Sequence, residues 1–498
     1  MKSNALKLCC LPLLVILLVI SPFLLKAQVK TNDAGCQIKE LLSLYSDQGR
    51  FNGVVLVAKD GKPFFSAGYG MANMEFNVKN TPETKFVIAS VSKTFTAALV
   101  MKLIDQGKLS LDTHLSDVLT WYRKDVGEKV TIRQLLNHTS GIPNYMNMKE
   151  HTMDELNRQF GTQVIDKMEF AKKYCMYDLE FEPGTRWNYN NTAYFLLGLI
   201  IEQINGKSYE ASLKELIFDP LQMANSGDIQ PDPEKVIANL ATGYIKKAGS
   251  FSHMPYWNIS TAYGAGTIYS TLDDLLKYDQ ALYSSSFLSE KAKEAMFTPG
   301  LNNYGCGWEL RQLPIGTNSE VKNIQTHEGY LWAWHTRIFR IPEDGYFIVI
   351  LSNTGNAPLE KMFTGITDIL YQRTPQYPKP ALTSAVEKKY KTSGIDQAIA
   401  YGKSLLQTQK EAWENSENDI NAYGYQLILL GKAEDAVKVL KWNTELYPGS
   451  WNVWDSYGEA LALTGNSKAA IEAYEQSIKL NPENKGGMAM LKKIKAAQ

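Results

Sequence analysis

Phe86-Val-Ile-Ala-Ser-Val-Ser-Lys-Thr-Phe-Thr-Ala-Ala-Leu-Val-Met-Lys-Leu-Ile104 is the stretch on which the reading of the whole chain turns. Ser90 and Lys93 stand three apart at the start of an apolar-periodic run that continues through Phe95, Leu99 and Leu103. Positions i and i+3 of a helix share a face, so the hydroxyl and the amine can meet. Ser90 is then expected in the first helical turn, where unpaired N–H groups and the dipole favour a developing negative charge. A hydroxyl is a weak nucleophile at neutral pH until a neighbouring amine of lowered pKa takes its proton. The spacing alone is not specific. Ser319-Glu-Val-Lys322 repeats it in a polar, non-helical context, and Ser90 could equally cap a helix with Lys93 in solvent.

The company this motif keeps is that of an ordinary globular protein. The 498 residues include 52 basic and 52 acidic side chains, so the formal net charge is zero. Hydrophobic residues make up 44% and charged ones 21%, enough for roughly two to four domains with large cores. No basic stripe suggests nucleic-acid binding. Lys2 and Lys7, an apolar run from Leu8 to Leu25 and the small residue Ala27 read as a signal peptide over residues 1–27. The alternative is an uncleaved anchor, since the run is about long enough to span a bilayer. Cys9 and Cys10 fall too early for a lipoprotein, and Cys36 too late. A periplasmic or secreted protein is expected. Past the leader only Cys36, Cys175 and Cys306 remain, which is no disulfide framework. The six histidines show no zinc spacing, so neither metal nor cofactor is expected.

Moving outward from Ser90, Gly53–Lys59 and the run up to Gly70 flank Asp60-Gly61, a strong hairpin signal. A short amphipathic helix precedes them at Cys36–Tyr45. Residues 150–218 are mostly helical by pattern, broken by the turn-rich Phe181-Glu-Pro-Gly-Thr-Arg-Trp-Asn-Tyr-Asn-Asn-Thr192 before an apolar helix that Gly206 would cap. A second hairpin is expected from Thr336 to Asn353 about the turn Glu343-Asp-Gly345. Strands at both ends of a helical middle predict an α+β domain, an antiparallel sheet closed by its termini and flanked by helices, over residues 37–373. The Pro-rich Thr374–Ala381 opens a linker expected over 374–390.

Residues 391–498 carry an internal repeat. Tyr423, Gly424, Leu427, Gly431, Ala436 and Pro448 recur 34 residues later as Tyr457, Gly458, Leu461, Gly465, Ala470 and Pro482. That period resembles tetratricopeptide (TPR) repeats and implies an all-α module that packs on the main domain or binds a protein partner.

Acyl transfer at Ser90 also needs a proton relay, oxyanion donors and a substrate wall. Tyr189 is the candidate relay, with an adjacent ammonium lowering its pKa, and Asn191 could orient Lys93 or a substrate amide. Tyr145-Met-Asn147 and Tyr256-Trp-Asn258 share the Tyr-x-Asn pattern, but only Tyr189 sits at the mouth of a long apolar helix. Thr326-His-Glu-Gly-Tyr330 fits a wall on an edge strand, with Gly329 admitting substrate backbone and His327 contacting a substrate carboxylate or steadying the relay. The backbone N–H groups of Ser90 and Tyr330 would hold the oxyanion. Trp332 and Trp334 are readable either as walls of an apolar subsite or as core.

With these pieces in hand, residues 37 to about 370 resemble the serine β-lactamase-related family: class C β-lactamases, certain penicillin-binding proteins, D-aminopeptidases and esterases. Ile88-Ala-Ser-Val-Ser-Lys-Thr-Phe-Thr96, Leu135-Leu-Asn-His-Thr-Ser-Gly-Ile-Pro143, Pro183–Thr192, Gly264–Thr271 and His327-Glu-Gly329 occur in the family's order. The resemblance implies Ser90 as acyl-enzyme nucleophile, Lys93 as general base and Tyr189 as proton relay to the leaving group. His327 stands where β-lactamases and penicillin-binding proteins carry the lysine of Lys-Thr-Gly. A partly charged imidazole would capture a substrate carboxylate weakly and in a pH-dependent way. The expected activity is therefore hydrolysis of D-amino-acid peptides or esters ahead of β-lactams. The rival expectation is an inactive sensor of the same fold that recruits a partner through its repeats.

Overall fold

Asp60 and Gly61 make the first hairpin as a two-residue turn, with φ of 50° and 73°, the positive pair that matches the twist of the flanking strands. Strands β1 (Gly53–Lys59) and β2 (Lys62–Tyr69) run from it. The chain returns to this sheet only after the helical middle, with β3 (Glu309–Leu313), β4 (Lys322–Leu331), β5 (Trp334–Ile341) and β6 (Tyr346–Ser352). The order is β3-β4-β5-β6-β1-β2, antiparallel throughout. The pairing Gly53↔Ser352 to Lys59↔Tyr346 closes the sheet with its first and last strands. The second hairpin turns at Gly345, φ 68°. This computed structural model describes residues 22–148, 151–160, 163, 165–229, 236–247, 250–254 and 256–496.

Period-2 alternation splits the sheet between two cores. Val54, Leu56, Ile338, Val349 and Leu351 face the large core built by the helical middle. Val55, Val57, Phe339, Ile348 and Ile350 face the other way, onto α1 (Pro22–Asp47) and the late helix α4 (Leu359–Leu370). Phe339 stacks on Phe363 of α4 at 3.8 Å between ring centroids. The short helix expected at Cys36–Tyr45 is thus the second half of a longer one, with Ile38, Leu41, Leu42 and Tyr45 buried. Residues 1–21 of the expected leader lie outside the described residues. No helix among the described residues is long and apolar enough to cross a membrane.

On the large-core side, α2 (Ser92–Asp105) is buried at every position from Ser92 to Met101, which makes it the central helix rather than an amphipathic surface one. Beside it lies α3 (Asn191–Asn205), closed by Gly206 in the left-handed conformation.

The stretch expected as a 374–390 linker is irregular only to Ala381. A helix already runs from Leu382 to Ser393, because Leu382 and Val386 share a core with Ile395, Ala398, Tyr423, Leu427 and Trp442. Helices continue to Ala496. Residues 34 apart occupy like places there: a Cβ on Gly424 would stand 2.5 Å from the Leu440 side chain, and one on Gly458 3.1 Å from Tyr474. The helical part is joined to the sheet domain by Glu414, which pairs with Arg50 and, at 2.9 Å, with Lys361 of α4.

Candidate active site

The turn that carries Ser90 is set by a small sheet. Phe86–Val87 pairs with Ile268–Ser270, and the Ile88 N–H donates to Ile268 O. The chain then turns through Ala89, a buried residue with φ 48°, a left-handed conformation that costs a non-glycine residue about 1–3 kcal/mol. Ser90 sits in the resulting 3₁₀ turn, Ala89–Val91, one step ahead of α2 rather than inside its first turn. Lys93 is one turn on. Its Nζ lies 3.0 Å from Ser90 Oγ and donates to Ala265 O at 2.9 Å. Lys93 is 0% exposed, and among the described residues no carboxylate pairs with it. Burial alone holds its pKa well below the usual lysine value, which favours the neutral amine over the ammonium.

Tyr189 stands at the entry to α3, with Lys93 Nζ 4.9 Å from its ring centroid. Burial disfavours the ammonium form of that amine. Burial pushes its phenol well above 10, and the hydrogen bond to Ser90 opposes that only in part. Tyr189 is therefore a neutral donor, not a phenolate. Asn191 does not reach Lys93; its Nδ2 donates to Met146 Sδ at 3.0 Å. The residue before it, Asn190, was missed. It caps α3 by accepting from the Ala193 N–H at 2.9 Å, and its Nδ2 donates to Ile142 O. Its own N–H donates to His138 Nδ1 at 3.2 Å. An asparagine just ahead of an apolar helix was the available signal.

The opposite wall is β4, and it corrects several expectations. β4 is not an edge strand: β3 pairs with it from Leu313↔Lys322 to Glu309↔Thr326. Only beyond Thr326 does its outer side turn to the Ser90 loop. Gly329 gives close approach to the protein's own backbone rather than to substrate, since a Cβ there would stand 2.2 Å from Ile88 O and 3.1 Å from Ser90 N. The Tyr330 ring lies on the far face of the sheet, 5.5 Å from His335, so only its backbone N–H is left for catalysis. Trp334 is core, edge-on to Phe86, while Trp332 sits at the β4–β5 hairpin tip with φ 53°. His327 is not a surface residue. It is 1% exposed, its Nδ1 lies 2.7 Å from Glu328 O and its Nε2 2.9 Å from the Tyr304 hydroxyl. Burial is the largest cause that pushes its pKa down to about 3, so the ring stays neutral at ordinary pH.

Behind these groups lies an aromatic cage. The buried His138 ring is 4.5 Å from Tyr189, 4.7 Å from Tyr304 and 5.2 Å from Tyr194. Together, Ser90, Lys93, Tyr189 and the β4 backbone bring a hydroxyl, a buried amine, a buried phenol and a strand of amides to one place. Among the described residues no group of three or more His, Cys, Asp or Glu is placed to hold a metal ion.

Residues 37–370 match the Beta-lactamase family. The chain belongs to that family. Penicillin-binding protein 4* of Bacillus subtilis (strain 168) is 32% identical over 335 residues, 64% of this chain and 71% of that protein. Further relatives from B. subtilis and Staphylococcus aureus are matched over 66% of their own length. Among solved structures, the penicillin binding protein from Bacillus halodurans superposes with a TM-score of 0.55 at 27% identity, over 66% of this chain and 97% of that one. The D-amino acid amidase from Ochrobactrum anthropi SV3 shares the fold, with a TM-score of 0.56 at 24% identity over 68% of this chain and 97% of that one. The Beta-lactamase family assignment makes the sheet domain a serine hydrolase of β-lactamase/transpeptidase-like fold, and the helices from Leu382 lie beyond its match.

Proposed function

We propose that this chain is an exported serine hydrolase that cleaves ester or amide bonds through a Ser90 acyl-enzyme, acting on D-amino-acid peptides or esters ahead of β-lactams. The observation that carries the reading is Lys93 Nζ, 3.0 Å from Ser90 Oγ, fully buried and with no carboxylate paired to it among the described residues. A neutral amine accepts the hydroxyl proton as Ser90 Oγ bonds to the substrate carbonyl carbon, a step worth about 10²–10⁴-fold. The Ser90 and Tyr330 N–H groups then receive the oxyanion, each donor worth roughly 2.7–4 kcal/mol. Tyr189 delivers a proton to the leaving group and is reprotonated through Lys93. Water repeats the sequence on the acyl-enzyme and frees the acid.

The preference against β-lactams rests on His327. Neutral, with both ring nitrogens engaged by Tyr304 and Glu328, it offers a substrate carboxylate neither charge nor a free N–H. A substrate uncharged at that end fits better. The named activities of the relatives, penicillin binding and D-amino acid amide cleavage, support an acyl-transfer chemistry of this kind. Export is supported by the apolar run Leu8–Leu25 behind Lys2 and Lys7, and a tetratricopeptide-type partner-binding role by the 34-residue helical repeat.

The test is intact-protein mass after incubation with activated esters, D-Ala-containing peptides and penicillins. An adduct mapped to Ser90 and turned over fastest with an ester or D-peptide is the expected result. A folded protein inert to the whole panel would move the reading to a binding protein.

A further inference from the structure

The loop Tyr304-Gly-Cys-Gly-Trp308 touches both walls of the site. At one end the Tyr304 hydroxyl meets His327. Glu328 O can only accept, so His327 Nδ1, 2.7 Å from it, carries the ring proton and donates. Nε2 is then a bare lone pair, and the Tyr304 hydroxyl at 2.9 Å must donate to it. At the other end Gly307, φ 82°, lies on the catalytic helix: a Cβ there would stand 2.7 Å from Ala97 Cβ and 3.0 Å from Lys93 O. Between them the Tyr304 ring, 2% exposed, fills the space against His138. Two residues beyond His327, Gly329 abuts Ile88 O and Ser90 N.

We propose that Tyr304 is a positioning residue for acyl transfer: by donating to His327 Nε2 it fixes residues 327–330 of β4 against the Ser90 turn and seals the uncharged wall behind the Lys93 amine. This rests on the Ser90–Lys93 acyl-enzyme reading. The hydrogen bond spans the loop and the strand, so the distance between the Tyr330 N–H and Ser90 depends on it, and a shift of about 1 Å there costs on the order of 10²-fold in rate. The same contact excludes water from Lys93. The groups that face this amine are Ser90 and Ala265 O, the rings of Tyr189 and Tyr194, and, from the two sides, His138 and His327. None is charged at neutral pH, so any water admitted by loss of the hydroxyl favours the ammonium and raises the pKa of the base.

The test is Tyr304→Phe in the full-length protein, assayed with p-nitrophenyl acetate across pH, beside His327→Ala and the double variant. Expected are a 10–100-fold fall in kcat with KM within about 2-fold, and an acidic limb of kcat/KM moved to higher pH. His327→Ala should show the same displaced limb, and the double variant should be no worse than the poorer single one, because both break one bond. A Tyr304→Phe enzyme with wild-type kcat and limb overturns the inference, as do effects of the two substitutions that multiply. Should Tyr304→Phe fail to fold, His327→Ala carries the pH measurement, and an unmoved limb there overturns the inference too. A wild-type protein that forms no Ser90 adduct overturns the acyl-enzyme reading itself, a failure visible before any Tyr304 variant is made.

Discussion

Ser90-x-x-Lys93 and Ser319-x-x-Lys322 have one spacing and opposite fates. Both lysines are covered, at 0% and 7% exposed. Lys93 has a hydroxyl, a carbonyl and aromatic faces around it, and its pKa falls. Lys322 has Glu320 at 3.0 Å and Asp344 at 3.1 Å, and the Glu320 hydrogen bond leads in holding its pKa above the ordinary value. Ser319 ends a 3₁₀ turn with φ 63° and does not lead into a helix. Covering a lysine makes a base only when no carboxylate comes with it. The same side chain with two carboxylates is a strut.

The sharpest break between the two is removal of the hydroxyls. Ser90→Ala should abolish the covalent adduct and cut turnover by on the order of 10⁴–10⁶-fold, whereas Ser319→Ala should leave adduct mass and rate as they are. Lys93→Met comes next, with a loss of about 10²–10⁴-fold in the acylation rate constant. The linkage sign gives it a second signature. Between the lowered pKa of Lys93 and 10.5, the unfolded chain binds a proton that the folded chain does not, so Lys93 makes stability rise with pH in that window. Lys93→Met should therefore lose this rise of stability with pH, while losing activity. Calorimetric scans in which Lys93→Met keeps the wild-type slope of stability against pH contradict the neutral-amine assignment.

Acylation by the wild-type protein should hold down to the lowered pKa of Lys93 and fall below it, because the protonated amine cannot accept from Ser90. A rate that declines from pH 10 downward would place Lys93 with Lys322. Gly329→Ala should cost about 10²-fold in acylation by pressing β4 away from the Ser90 turn, with no counterpart around Lys322. Smallest is the pair Glu320→Gln with Asp344→Asn. It should lower the Lys322 pKa, read by NMR of the Nζ-bearing carbon, and leave the hydrolytic rate within about 2-fold.

Much of this architecture could be read from short-range signals. Asp60-Gly61, Gly206 and Gly345 each force a positive φ and so announced two hairpins and a helix end. The Ser90–Lys93 contact follows from helical spacing, although the strained Ala89 moves the serine just ahead of the helix. What escaped is long-range. Asn190 and Asn191 are neighbours with the same chemistry, and only the cap geometry separates them. The loop Tyr304–Trp308 carries no charge pattern, and the contacts that give it meaning, to His327 and to Lys93, come from folding distant segments together. Burial was the other hidden quantity. A histidine and a tyrosine look titratable in a sequence, yet His327 and Tyr189 are both locked neutral by the protein around them.

The join at Glu414 carries a consequence for how the two halves can speak to each other. Its partners Arg50 and Lys361 lie with α1 and α4, on the side of the sheet turned away from Ser90. Any load on the helical part is thus transmitted to the back of the sheet domain. The appendage is moored behind the sheet, and the face that carries Ser90 and Lys93 stays clear of this join.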